Sequence, residues 1–257
     1  MATALVTGPT SGIGQGFARR LASDGHDLVL VARSVERLEE LASELRASGV
    51  KCELLQADLG DRDQLKQVEE RLADVTRPID VLVNNAGFGL GESFVGGDIA
   101  MQQTAIDVMV TAVMRLTHAV TPGMVERGSG TIINLSSVAS FLPFSPYSAA
   151  KSWVTVFTQG LATELEGSGV RALVLCPGFV RTEFHDRAGI ALDRSSDRWW
   201  LEVDDVVDQA FTDLRRGKVV SVCGRAYKVL VAGARLMPPD FLRKSERFRR
   251  SRIVERL

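Results

Sequence analysis

Seven short runs of Val, Ile and Leu, at roughly 3–7, 27–32, 51–57, 79–84, 130–136, 170–176 and 218–223, are separated by segments of helical periodicity. Uninterrupted apolar runs of this length suit strands buried on both faces, and strands that alternate with helices build parallel sheets through βα crossovers. The segment Ser34 to Ala47 shows the helical half of the pattern: Ser34 can cap it, Leu38, Leu41 and Leu45 form an apolar stripe, and Gly49 ends it. No internal repeat, low-complexity stretch or Pro/Gly/Ser-rich linker divides the 257 residues. With 45% hydrophobic residues, the chain has the material for one large core. The expectation is a single α/β domain over 1–257, a doubly wound, mostly parallel seven-stranded sheet with helices on both faces, in a three-layer sandwich.

A net charge of -1 gives no overall reason to expect nucleic acid, whose binders carry a basic excess. Cys52, Cys176 and Cys223 are odd in number, far apart and without a CxxC or a nearby His cluster. Buried, reduced thiols are therefore expected rather than a disulfide framework or a metal site. The N-terminus runs into Ala4-Leu5-Val6 without the basic start and long apolar run of a signal peptide, which points to the cytoplasm. The apolar stretch from Val219 to Met237 is broken by Arg225, Lys228 and Arg235 and does not suit a bilayer span. Charge is nonetheless uneven: from Arg215 to Leu257 there are thirteen Lys/Arg against three Asp/Glu. Residues 238–257 read as a basic C-terminal helix with three uses left open: a solvated helix, an oligomer contact, or weak contact with a membrane surface.

The first strand leads into Thr7-Gly8-Pro9-Thr10-Ser11-Gly12-Ile13-Gly14, after which Phe17 and Leu21 begin a helical pattern. Glycines let a backbone approach a pyrophosphate closely, and a helix N-terminus presents unpaired N–H groups and a positive dipole end to it. Dinucleotide sites that take NAD place a carboxylate at the end of the second strand, on the ribose hydroxyls. Here that place falls to Ala32, followed by Arg33. A carboxylate repels a 2′-phosphate, whereas a guanidinium holds one through charge-assisted hydrogen bonds, so NADP(H) is the expected cofactor, with Thr10 and Ser11 as further donors.

Tyr147 and Lys151 are four residues apart and share one face if their segment is helical. A phenol of pKa near 10 is a poor acid-base group at neutral pH unless its anion is stabilised. Lowering it to about 7 takes roughly 4 kcal/mol, close to what one ammonium about 4 Å away supplies at an effective dielectric near 20.

Taken together these segments resemble the short-chain dehydrogenase/reductase family over nearly the whole chain, in its short, single-domain, NADP(H)-preferring branch. The turn matches the family's TGxxxGxG, Asn84-Asn85-Ala86-Gly87 its NNAG, Tyr147-Ser148-Ala149-Ala150-Lys151 its YxxxK, and Pro177-Gly178-Phe179-Val180-Arg181-Thr182 its PGxVxT. Asp58-Leu59 falls where the family places residues against the adenine ring. The resemblance implies a Rossmann-type fold, a dimer or tetramer, and hydride transfer between nicotinamide and a small carbonyl or alcohol substrate. It implies Ser137, Tyr147 and Lys151 as the catalytic set, with Lys151 also on the nicotinamide ribose and Thr182 on the carboxamide. The cofactor would be lined by Gly8, Thr10, Ser11, Gly12, Ile13, Gly14, Arg33, Asp58, Leu59, Asn85, Ala86, Gly87, Tyr147, Lys151, Pro177, Gly178, Val180 and Thr182.

The chain departs from the family at two places. Ten residues separate Ser137 from Tyr147, about three fewer than the family pattern, and the shortened loop with Pro143 and Pro146 leaves Ser136 open as the alternative hydroxyl. In Ala105-Ile106-Asp107-Val108-Met109-Val110-Thr111-Ala112, Met109 stands where the family carries the asparagine that links the lysine to solvent. A thioether accepts weakly and donates nothing, and Asp107 lies two residues away on another helical face. Past Thr182, the segment 183–200 with Phe184, Trp199 and Trp200 suits a substrate lid or edge packing. The alternative to an enzyme is a catalytically weak NADP(H)-binding regulator or scaffold, which the intact Ser137, Tyr147 and Lys151 disfavour.

Overall fold

A computed structural model describes residues 2–90, 94–143, 145–184 and 199–237. The main sheet contains β1 (Thr3–Thr7), β2 (Asp27–Ala32), β3 (Cys52–Gln56), β4 (Val81–Asn84), β5 (Gly130–Leu135) and β6 (Val170–Cys176). After a separate ribbon of β7 (Phe179–Val180) and β8 (Trp200–Leu201), β9 (Val220–Val222) completes it. The order is β3-β2-β1-β4-β5-β6-β9, with every neighbouring pair parallel. The sequence reading of seven strands in one doubly wound sheet holds. Strand ends differ by one to two residues: Ile79 and Asp80 precede the β4 ladder, and the Asp80 carboxylate accepts from the Thr3 amide at 2.7 Å. The β7–β8 ribbon was not foreseen, because two-residue strands are too short to carry a periodicity.

Strand residues alternate between two helical layers. Ala4, Val6, Leu28 and Leu30 pack with Phe17 and Leu21 of α1 (Gly12–Ser23), Leu38 and Leu41 of α2 (Val35–Arg46), and Val206 and Val207, which lie in the later helix Val203–Arg215. On the other face Leu5, Val29, Val31 and Leu82 meet Leu65 and Val68 of α3 (Arg62–Ala73). Beyond α4 (Ile99–Ile106), α5 (Ala112–Glu126) adds Leu116, Val120 and Met124 to that face, and α6 (Pro146–Glu164) packs alongside. Val203–Arg215 is α7, and α8 (Arg225–Leu236) follows β9. Helix α2 behaves as its sequence predicts: the Ser34 side chain accepts from the Arg37 amide.

A buried polar ladder crosses the sheet centre. Asn84 Nδ2 donates to Asn134 Oδ1 at 2.9 Å and Thr117 Oγ1 at 3.1 Å, and Asn134 Nδ2 donates to Thr158 Oγ1 at 3.0 Å. It ties β4 and β5 to α5 and α6, and an unpaired amide here would cost on the order of 1–3 kcal/mol.

Helices α4 and α5 are joined without a break by a π turn, Asp107–Thr111. The resulting 28-residue helix, Ile99–Glu126, is long and apolar enough by length and composition to cross a membrane. Its Ala112, Leu116, Val120 and Met124 pack into the sheet's core instead.

The sheet order reverses between β1 and β4, so a crevice opens at the C-terminal ends of these strands, where ligands bind in open α/β sheets. Residues 185–198, the bulk of the expected lid, and the basic segment 238–257 lie outside the described residues. Trp200 corrects the lid expectation in part: it is 9% exposed within β8, its ring 5.7 Å from that of Phe179, and so packs the fold's edge. All three cysteines are free; Cys176 and Cys223 are buried and Cys52 is half-buried.

Candidate active site

The crevice is built first by backbone. After β1, Thr7 Oγ1 accepts from the Asn85 and Ala86 amides, each at 3.0 Å. Asn85 Nδ2 donates to the Thr7 and Gly8 carbonyls, each at 2.9 Å. The NNAG segment thus holds the glycine turn, and the Asn85 amide group shapes the nucleotide cradle from behind. Gly14 is required by proximity, since a Cβ there would lie 2.2 Å from the Gly8 carbonyl oxygen and 2.3 Å from Asn85 Nδ2. Helix α1 begins at Gly12 with no acidic residue in its first turn. A close-packed glycine cradle and a helix start free of carboxylates fit a bound pyrophosphate.

Arg33 is exposed just past β2, two residues beyond Val31, whose carbonyl accepts from the Gly8 amide at 2.9 Å. It therefore flanks the turn. Asp58 is half-buried with Oδ1 accepting from the Gly60 amide at 2.9 Å, and Leu59 is buried behind it. Across the crevice, Thr182 lies over the turn: its γ-methyl and Cβ are 3.0 and 3.2 Å from where a Cβ on Gly12 would sit. Phe184 follows, its ring 6.1 Å from that of Tyr147.

The side chains that can handle a proton meet at the end of β5. Ser145 caps α6, accepting from the Ser148 amide at 3.3 Å, and Pro146 occupies the first turn where its missing N–H costs nothing. Tyr147 and Lys151 then stand one turn apart on α6. The short Ser137–Tyr147 interval is spanned by a 3-10 turn, Val138–Phe141, with Ser137 Oγ accepting from the Ala139 amide at 3.1 Å.

The two serines differ in direction. Ser136 is buried and turned into α6, donating to the Lys151 carbonyl at 2.8 Å and sharing a 2.7 Å hydrogen bond with Thr155 Oγ1. Ser137 is not turned into α6 in this way, and its side chain acts on the Tyr147 phenol, favouring the charged form.

Lys151 is 5% exposed, and its Nζ donates to the Leu135 carbonyl at 2.8 Å while standing 5.8 Å from the Tyr147 ring centroid. Burial pushes the Lys151 ammonium down to about 8. It pushes the Tyr147 phenol up to about 12, with Ser137 opposing. This differs from the sequence expectation, in which the ammonium draws the phenol toward neutrality. Desolvation of the phenol is the larger effect, and it favours the neutral form.

Met109 is wholly buried within the π turn and packs with Ala105, Ala150, Phe88, Leu90 and Tyr147. Its Sδ is 3.4 Å, and Lys151 Nζ 3.7 Å, from the point where a Cβ on Gly87 would lie. Asp107 points elsewhere, accepting from Gln103 Nε2 at 3.1 Å and pairing with Arg62 at 3.8 Å. Sequence reasoning missed Tyr227 of α8, whose ring packs on Gly178 and whose hydroxyl bonds to backbone atoms, neither of which leaves a motif.

Residues 2–191 match the family model for short chain dehydrogenase. The chain is 40% identical over 185 residues to sulfoacetaldehyde reductase 2 of Chromohalobacter salexigens, covering 70% of this chain and 73% of that protein. Among solved structures it is similar to a short-chain dehydrogenase from Sphingobium yanoikuyae in complex with NADPH, at 40% identity and a TM-score of 0.83, over 91% of this chain and 94% of that one. It is also similar to the bulky-bulky ketone specific alcohol dehydrogenase from Comamonas testosteroni, at 31% identity and a TM-score of 0.77, over 99% and 94% of the two chains. With its glycine turn, NNAG brace and Tyr-Lys helix set around one crevice, and matched to the family's model over residues 2–191, the chain belongs to the short-chain dehydrogenase/reductase family of oxidoreductases.

Proposed function

We propose that the chain, as a single catalytic domain, is an NADP(H)-dependent oxidoreductase that interconverts a small carbonyl compound and its alcohol through Ser137, Tyr147 and Lys151. The observation that carries this reading is the meeting of Tyr147 with the buried Lys151, whose Nζ stands 5.8 Å from the Tyr147 ring centroid, at the end of β5 where Ser137 lies and beside the glycine turn. The nicotinamide supplies or accepts the hydride. Ser137 holds the substrate oxygen. Tyr147, kept protonated by burial, hands its proton to that oxygen in the reducing direction and takes it back in the other. Lys151 holds positive charge beneath the site and orients the nicotinamide ribose. Thr182, over Gly12, faces the carboxamide. Arg33 beside the turn supports NADP(H) over NAD(H), and the NADPH-bound relative from Sphingobium yanoikuyae agrees with that choice.

Phe88, Leu90 and Phe184 around Tyr147 support a substrate with an apolar part. Exposed Met101, Ile106, Met114 and Val156 on α4, the π turn's edge, α5 and α6 support a homodimer or homotetramer, which size-exclusion chromatography tests.

The experiment is equilibrium binding of NADPH and NADH to the purified chain, then loss of NADPH absorbance with a panel of ketones and aldehydes, for wild type and Tyr147→Phe. Tight NADPH binding and turnover that Tyr147→Phe lowers by roughly 10²–10⁴-fold support the reading. NADPH binding without turnover on any panel member favours the regulator, a reading that Met109 packed beside Lys151 keeps in view.

A further inference from the structure

Tyr227 belongs to α8, far along the chain from every motif that marks the site, yet it is 4% exposed and lies at the site's edge. Its hydroxyl donates to the Trp199 carbonyl at 2.7 Å and accepts from the Phe179 amide at 3.0 Å. One oxygen therefore bonds both feet of the β7–β8 ribbon, at the point where the chain leaves the sheet and the point where it returns. The ring rests in the hollow of Gly178, where a Cβ would fall 2.1 Å from ring carbons, and the Trp199 ring meets it edge-on at 5.5 Å. The ribbon itself is slight, pairing Phe179 with Trp200 and Val180 with Leu201, with the Arg181 amide donating to the Leu201 carbonyl at 3.0 Å. Beyond it the chain passes directly to Thr182 over Gly12 and to Phe184 beside Tyr147.

We infer that Tyr227 is a positioning residue: by pinning Phe179 and Trp199 against Gly178, it fixes the segment 180–184 that closes the dinucleotide cleft and packs on the acid-base tyrosine. The inference rests on the NADP(H) oxidoreductase reading above. Phenylalanine would fill the Gly178 hollow equally well, so the hydroxyl is the part that matters. Burial raises its pKa, and it therefore keeps the proton it donates.

The test uses the full chain and measures the NADPH dissociation constant, kcat, KM and Tm for wild type, Tyr227→Phe, Thr182→Ala and the double variant. Loss of two buried hydrogen bonds is expected to weaken NADPH binding about tenfold in Tyr227→Phe and to lower kcat, with Tm within a few degrees of wild type. Because the effect passes through the 180–184 segment, the double variant should lose less than the product of the two single losses. Gly178→Ala, which must push the ring away, should reproduce the NADPH deficit by a separate route. If wild type binds no nucleotide, the oxidoreductase reading fails and takes this one with it. If wild type binds NADPH while Tyr227→Phe and Gly178→Ala bind it equally well, or the losses simply multiply, Tyr227 is a packing residue and the inference alone is overturned.

Discussion

Replacing Lys151 by methionine removes a charge that the fold buries without a carboxylate partner: among the described contacts, Nζ is held by the Leu135 carbonyl at 2.8 Å. The gap between the ordinary lysine value of 10.5 and about 8 in the fold corresponds to roughly 3 kcal/mol of instability at neutral pH. Leaving the Leu135 carbonyl without its donor costs about 1 kcal/mol. Lys151→Met is thus expected to stabilise the chain by about 2 kcal/mol at pH 7, or roughly 4–8 °C in Tm, while turnover collapses. The sign has a pH signature. Below pH 8 the lysine is charged in both states and the penalty is full. Between about 8 and 10.5 the folded lysine is neutral while the unfolded one still binds a proton, so wild type gains stability with rising pH and the advantage of the variant shrinks. Thermal melts of both proteins at pH 7, 9 and 10.5 measure this. A variant that melts at or below wild type at pH 7, or an advantage that does not shrink above pH 8, refutes the claim that Lys151 is held at an energetic cost.

Arg33→Ala should weaken NADPH binding roughly 10–100-fold, the worth of charge-assisted bonds to one phosphate, and leave NADH binding nearly unchanged; parallel titrations decide it. Gly14→Ala places a Cβ 2.2 Å from the Gly8 carbonyl oxygen, so the turn must open and nucleotide binding should fall more than about tenfold, with about 1–3 kcal/mol of stability. Ser137→Ala should lower kcat/KM by roughly 10²-fold while costing only about 1 kcal/mol of stability, the worth of its cap on the Ala139 amide. Ser136→Ala should do the reverse, lowering stability by about 1–3 kcal/mol while turnover stays near wild type, as steady-state kinetics beside a urea titration will show.

The sheet was legible because its signal is periodic: buried parallel strands read as apolar runs, and Ser34 and Gly49 mark the ends of α2 in the sequence as they do in space. The Tyr147–Lys151 pair was legible because four residues is a helical distance. The choice between Ser136 and Ser137 was not, since the chain between Ser137 and Tyr147 is shorter than its family's pattern and spacing does not tell that Ser136 turns into α6. The balance at Lys151 was hidden for another reason: it depends on a backbone carbonyl at the end of β5, and spacing gives charge without burial. Tyr227 was hidden most completely. Its hydrogen-bond partners, Phe179 and Trp199, lie 48 and 28 residues away and meet the hydroxyl with backbone atoms, which leave no mark in the sequence.

The π turn at Asp107–Thr111 has a consequence for how this chain can vary in length. Each residue of an α-helix advances by about 100°, and a π turn takes up one extra residue within an otherwise continuous helix. Upstream of it the helix aims Ala105 at the pocket with Met109, and downstream it aims Ala112, Leu116 and Val120 at the sheet. In an unbroken α-helix Ala105, Met109, Ala112 and Leu116 would share one face, and the extra residue turns the two stripes toward their different targets. Deleting any one residue from 107 to 111 would therefore act as a rotational frameshift, turning either Met109 out of the pocket or Leu116 out of the core, whereas a substitution there leaves the phase intact.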